Sequence, residues 1–240
     1  MPTLREYAHM ASAVYGNDKD EVRQKWANCP THGAYNIIDY QGGIAYANDQ
    51  TAGAGFQGAI FASADDVVMA YKGSKGGAGS LFGGASSKQG TGYDDWHVND
   101  VQIMLNRLPS QVPNAENFTR PYKQLAEMLG ARFSMVGHSL GGGLAQYIGW
   151  LWGVPFVTFN APGMAGNLVS GRKSMKSAGK VPGFNMILAT DPVGNFGVHL
   201  GKTERFLALG KPGMAHKMTA VLYAVEGRPT WAARDLAQLV

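Results

Sequence analysis

The stretch that most constrains this chain is Phe133-Ser134-Met135-Val136-Gly137-His138-Ser139-Leu140-Gly141-Gly142-Gly143, an apolar run leading straight into a serine fenced by glycines. Read physically, it is a buried strand, a turn too tight for side chains, and a helix that starts near Gly141. Three glycines where a helix should begin each cost roughly 1 kcal/mol relative to alanine, which a chain needing only a helix would avoid. Their missing side chains let strand and helix approach closely and hold the serine in a strained turn with its hydroxyl outward. Leu144, Tyr147, Ile148 and Leu151 follow at helical spacing. The pattern Gly137-x-Ser139-x-Gly141 is therefore read as a nucleophile elbow with Ser139 at its apex. The backbone N–H of Leu140 then points at a developing oxyanion. The blander alternative is a serine in a glycine-rich turn with no chemistry.

With 240 residues the chain can bury one substantial core, and a single domain spanning 1–240 is expected. Charged residues are 16% of the chain and glycine supplies 33 positions, the composition of a neutral, loop-rich enzyme. The net charge of +4 comes without a basic run interleaved with aromatics, so no nucleic-acid partner is expected. The densest cations, Arg172, Lys173, Lys176 and Lys180, read as a solvated loop or as a patch favouring anionic lipid. Cys29 is the lone cysteine, which excludes an internal disulfide and a cysteine metal cluster; beside Pro30 it reads as a plain loop thiol. No metal or cofactor is expected. The N-terminal residues lack the apolar core of a secretory signal, and no run approaches a membrane span. The expectation is a soluble product made in the cytoplasm, exported if at all by a system that reads no N-terminal signal.

Leu4, Tyr7, Ala8, Ala11 and Tyr15 predict an amphipathic helix over 3–15. Short apolar runs at 36–40, 43–47 and 55–61 read as two or three meander strands at the leading edge of a sheet. The run 66–71 is continuously apolar, as in a central strand covered on both faces, and stops in Lys72-Gly73-Ser74. Residues 75–92 are rich in Gly, Ser and Lys and read as a flap over a pocket or as a plain insertion. Helices are expected over 95–108 and 118–130, the second closed by Gly130, with further strands over 154–160 and 184–190. Strands alternating with helices imply an α/β fold, a mostly parallel sheet with helices on both faces and chemistry beyond the strands' carboxyl ends.

A serine nucleophile needs a base, and the base needs an orienting acid; in such sheets they follow in the order serine, acid, histidine. Asp191 is favoured over Glu204, Glu226 and Asp235 because it ends a buried strand and Pro192 turns the chain, whereas Glu204 sits in a charged Lys-Thr-Glu-Arg stretch. His216, between the flexible Lys211-Pro212-Gly213 and a helical run, is favoured over His199, which lies only eight residues after the acid.

Val67 to Ser74, Asp95-Trp96, Gly137 to Gly142 and Asp191-Pro192-Val193 together resemble the class 3 lipases, the fungal-type lipases and their bacterial relatives, over about residues 60–225. The resemblance implies an α/β-hydrolase fold and a serine ester hydrolase acting on lipids, as a lipase or phospholipase. It implies Ser139, Asp191 and His216 as the catalytic residues, with Ser74 and Leu140 as the oxyanion hole. It makes His199 the non-catalytic histidine and puts 75–92 at the lid position. The chain departs from that family in Lys72, where the family has arginine, in the glycine-rich lid segment, and in the shorter path from Asp191 to His216. The expected partner is a lipid or ester substrate at a membrane surface. Rival readings are a small-molecule carboxylesterase or thioesterase and, from another class, a catalytically silent hydrolase-like binding module. Lipid chemistry without a secretion signal also suggests an antibacterial effector with a cognate inhibitor protein as partner.

Overall fold

A computed structural model describes residues 1–42, 56–73, 111–166, 182–207 and 212–240. The first helix, α1 (Leu4–Ala13), is fixed at its start by a capping box in which Thr3 and Glu6 satisfy each other's backbone N–H. It is followed by α2 (Lys19–Trp26), capped by Asp18. The remaining elements are β1 (Asn36–Gln41), β2 (Gly58–Ala62), β3 (Asp66–Tyr71), α3 (Val112–Leu129), β4 (Arg132–His138), α4 (Leu140–Trp152), β5 (Phe156–Phe159), β6 (Gly183–Leu188), β7 (Lys202–Phe206), α5 (Pro212–Ala215), α6 (Met218–Glu226), α7 (Pro229–Ala232) and α8 (Leu236–Leu239).

The strands form one sheet in the order β1-β2-β3-β4-β5-β6-β7. The first three pair antiparallel, the expected meander edge, and β3 through β7 pair parallel. The continuous apolar run of β3 divides by alternation. Val68 and Ala70 enter a core with α1, α2 and α6, whereas Val67, Met69 and Tyr71 enter a second core with α3 and α4. Helices therefore cover both faces, and both kinds of residue in the run are buried.

Several expected boundaries shift. The helix expected at 118–130 starts at Val112, with a proline in its first turn, and its buried positions are Val112, Ala115, Thr119 and Ala126. Leu125, Met128 and Leu129, apolar at the expected spacing, are exposed. Besides the short helices α5, α7 and α8, a longer helix and a strand were not anticipated. Helix α2 buries only Val22 and Trp26, too few apolar residues to register as a periodic face. Strand β7 is the charged Lys-Thr-Glu-Arg stretch, and such charge suits a strand at the sheet's edge. Cys29 lies in the loop after α2, as expected, but it is no plain surface thiol: it is fully buried in the α1/α2 core, where burial pushes its thiol pKa up. The expected strand at 43–47, the helix at 95–108, the 75–92 segment and the cluster Arg172 to Lys180 lie outside the described residues.

The register brings the ends of the parallel strands level. Tyr71 pairs with Gly137, His138 with Phe159, and Phe159 with Met186. Lys72, Ser139 and Asn160, each immediately past a strand end, and Asp191, three residues past the end of β6, consequently gather at one rim of the sheet. Lys72, where the family resemblance expects arginine, is buried with its ammonium donating to the Gln57 side-chain oxygen.

Candidate active site

Ser139 caps α4 with φ 57° and ψ −132°, a backbone conformation that L-residues rarely adopt and that costs about 1–3 kcal/mol. The turn is held on both sides: the Ser139 N–H donates to the Phe159 carbonyl at 3.1 Å, and its carbonyl accepts from the Gly143 N–H at 3.1 Å. Glycines make it sterically feasible. A β-carbon on Gly141 would lie 2.3 Å from the Tyr71 carbonyl oxygen, and one on Gly142 would lie 2.5 Å from the Ala161 β-carbon. Strand β3, the elbow and the β5 terminus can thus touch only with hydrogen at these positions.

The structure brings Ser139, His216 and Asp191 together. His216 Nε2 is 2.8 Å from Ser139 Oγ, and its Nδ1 is 2.9 Å from Asp191 Oδ1. A carboxylate only accepts, so the ring proton sits on Nδ1, which leaves Nε2 to accept the serine proton. Asp191 is fully buried yet well supplied with donors: the Gly194 N–H reaches Oδ2 at 2.8 Å and the Val193 N–H reaches Oδ1 at 3.3 Å. Gly194 permits that approach, because a β-carbon there would stand 2.8 Å from Oδ2. Asn195 ties off the same turn by donating to the Asp191 carbonyl at 2.8 Å.

Leu140 is the first residue of α4, so its N–H has no acceptor within the helix and lies at the positive end of the helix dipole. Ser74 lies outside the described residues. His199 is elsewhere, with Nε2 donating to the Ala161 carbonyl at 2.8 Å and its pKa lowered by burial. Glu204 is on β7, near Lys202 on the surface. Among the described residues no three His, Cys, Asp or Glu side chains converge as a metal site. Also among the described residues, no helix is long and apolar enough to cross a membrane.

Two residues not singled out from the sequence also line this rim. His138 is buried with its ring centroid 5.0 Å from that of His216, and Asn160 is buried just beyond β5 with a positive φ of 48°. A positive φ is one that asparagine tolerates better than most residues.

A family model described as phospholipase-like, the Tle-like phospholipase domain, matches residues 6–198. The chain belongs to this family. Among curated relatives, the extracellular phospholipase A1 of Serratia liquefaciens is 31% identical over 123 residues, covering 51% of this chain and 32% of that protein. The match to this Tle-like phospholipase-domain chain thus spans about a third of the Serratia protein's length. Among solved structures, the crystal structure of a fungal lipase aligns with a TM-score of 0.54 at 14% identity, covering 89% of this chain and 82% of the lipase. Rhizomucor miehei lipase, in its propeptide complex, aligns with a TM-score of 0.52 at 11% identity, covering 85% of this chain and 65% of that one. The fold is that of the α/β-hydrolases, as the class 3 lipase resemblance implies.

Proposed function

We propose that the protein hydrolyses carboxylic esters of phospholipids or other lipids through an acyl-enzyme, with Ser139 as nucleophile, His216 as general base and acid, and Asp191 as the group that orients His216. The observation that carries this reading is the hydrogen-bonded line from Ser139 Oγ through the His216 ring to Asp191 Oδ1, at 2.8 and 2.9 Å. Ser139 Oγ attacks the ester carbonyl as its proton passes to His216 Nε2. The carbonyl oxygen becomes an oxyanion facing the Leu140 N–H, with Ser74 as the second donor that the family resemblance implies. Collapse breaks the ester bond and returns the proton from Nε2 to the departing alcohol. Water then attacks the acyl-enzyme, giving its proton to His216, and Ser139 recovers a proton as the fatty acid leaves. The lipid substrate is supported by the family and by the name of the Serratia relative.

Phospholipid vesicles incubated with wild type and with Ser139→Ala test the reading. Fatty-acid release by wild type and a fall of at least about 10³-fold in the variant are expected. Equal release by both would overturn it.

For the biological setting we propose an effector that acts on the membranes of a neighbouring cell and is neutralised by a cognate inhibitor protein. Lipid-ester chemistry, which the phospholipase family supports, is what motivates this setting. Targeting the active protein to the periplasm of a test bacterium should cause a membrane defect that Ser139→Ala does not. Normal growth with the active protein would contradict the proposal.

A further inference from the structure

The segment that delivers His216 does little to hold itself. It follows α5, a single turn of four residues that is too short to be stable alone, and it belongs to no strand. Two side chains from the neighbouring strand ends hold it.

The first is His138, the last residue of β4. Its ring nitrogen Nε2 is 2.7 Å from the carbonyl oxygen of His216, and its Nδ1 is 2.7 Å from the Tyr15 hydroxyl. A carbonyl oxygen only accepts, so the ring proton lies on Nε2, and Nδ1 accepts from the Tyr15 O–H. The second is Asn160, just past β5. Its Nδ2 donates to the carbonyl of Ala215 at 2.7 Å, while its Oδ1 accepts from the Leu188 N–H at 2.8 Å. The left-handed backbone at Asn160 aims the amide inward, and asparagine tolerates that conformation better than most residues. Two consecutive buried carbonyls, of Ala215 and His216, are thus each held by one side-chain donor. Each donor is anchored in turn, His138 to Tyr15 behind α1 and Asn160 to the end of β6.

From this arrangement we infer that His138 and Asn160 are positioning residues for His216, setting its imidazole against Ser139 by holding its own carbonyl and that of the preceding residue. The inference rests on the reading of His216 as general base. Burial, with the neighbouring His216 adding to it, holds the His138 pKa well below the ordinary histidine value, so its ring stays neutral and both its bonds persist at neutral pH. Neither side chain takes part in proton transfer. Their effect is geometric, because displacing a catalytic group by about 1 Å can cost about 10²-fold in rate.

The test measures ester turnover for His138→Leu, His138→Gln and Asn160→Asp, each in the wild-type and His216→Ala backgrounds, with folding followed by thermal unfolding. His138→Leu fills the site without a donor and should lower kcat about 10²-fold with KM little changed. His138→Gln keeps an amide donor within reach of the His216 carbonyl and should recover most of that loss. Asn160→Asp keeps an acceptor for Leu188 but faces the Ala215 carbonyl with a carboxylate, and it should lower kcat in the same way. In the His216→Ala background none of the three should reduce the residual rate further, because groups that act as a unit are non-additive. Wild-type kcat in His138→Leu and Asn160→Asp, or equal losses in both backgrounds, would overturn the inference while leaving the triad intact. Full turnover in His216→Ala would overturn the triad reading, and the positioning role with it.

Discussion

Gly137 faces the backbone of Gly141 across the elbow so closely that a β-carbon on Gly137 would stand 2.3 Å from the Gly141 carbonyl oxygen. No side-chain rotation relieves a clash with backbone, so the strand-to-helix turn must open to admit even alanine. Gly137→Ala and Gly141→Ala should each lose at least about 1–3 kcal/mol of stability and most ester turnover. Gly130 is the contrasting position: its φ is 68° but its surroundings are open, so Gly130→Ala should cost about 1 kcal/mol of backbone strain and leave turnover per folded molecule unchanged. Denaturant unfolding and ester turnover check the pair. Wild-type behaviour of Gly137→Ala would contradict the steric account.

Asp191 fixes which nitrogen of His216 carries the proton. An asparagine there turns an NH₂ toward Nδ1, which moves the ring proton to Nε2 and leaves Ser139 without an acceptor. Asp191→Asn should therefore lower kcat by about 10⁴-fold while keeping most of the fold. Steady-state kinetics beside a thermal melt check this, and a loss below tenfold would remove Asp191 from the orienting role.

Much of this was legible in the sequence because the elbow announces itself locally. Strand, serine and glycines are contiguous, and β3, β4, β5 and β6 are apolar runs buried on both faces. Asp191 stood out as a carboxylate ending a buried strand, and His216 by its place in the chain order. What escaped notice depends on distance. Nothing near His138 in sequence marks a ring that donates to a carbonyl 78 residues on, and nothing near Asn160 marks an amide that donates to a carbonyl 55 residues on. Edge strand β7 was hidden by its charge and α2 by its polarity. The burial of Cys29 was not legible because packing into the core beside α1 is a tertiary fact that its polar neighbours do not encode.

Burial holds His138 and His199 below the ordinary histidine pKa, His138 the more strongly. The unfolded chain takes up protons on these rings near pH 6.5, whereas the folded protein does so only at lower pH. Their contribution is complete above about pH 6.5 and declines as pH falls toward the folded values. Urea midpoints taken from pH 8 to 5 should fall on the acid side. The double variant His138→Gln/His199→Gln should flatten that slope, and an unaltered slope would contradict the assignment.

At the opposite end of the sheet, Arg132 grips the buried Asp66 with two bonds of 2.8 and 2.9 Å, and the Tyr35 hydroxyl donates to the same carboxylate. Burial raises the Asp66 pKa, but Arg132 and the Met1 ammonium, 3.3 Å from Oδ2, together outweigh it and hold the carboxyl below its usual range. Its contribution to stability is thus present at neutral pH and lost as acid drives the pH through that lowered value. Asp66→Asn should cost about 1–3 kcal/mol at pH 7 and leave kcat per folded molecule unchanged. A selective loss of kcat would contradict its purely structural role.

The central claim is that Ser139 is a nucleophile activated by His216. Reaction of the folded protein with a fluorophosphonate, followed by peptide mass spectrometry, tests it most directly. The account predicts one adduct on Ser139, none in Ser139→Ala, and strongly slowed labelling in His216→Ala. A folded protein that hydrolyses ester while Ser139 stays unlabelled, or that carries its adduct on another serine, would contradict it.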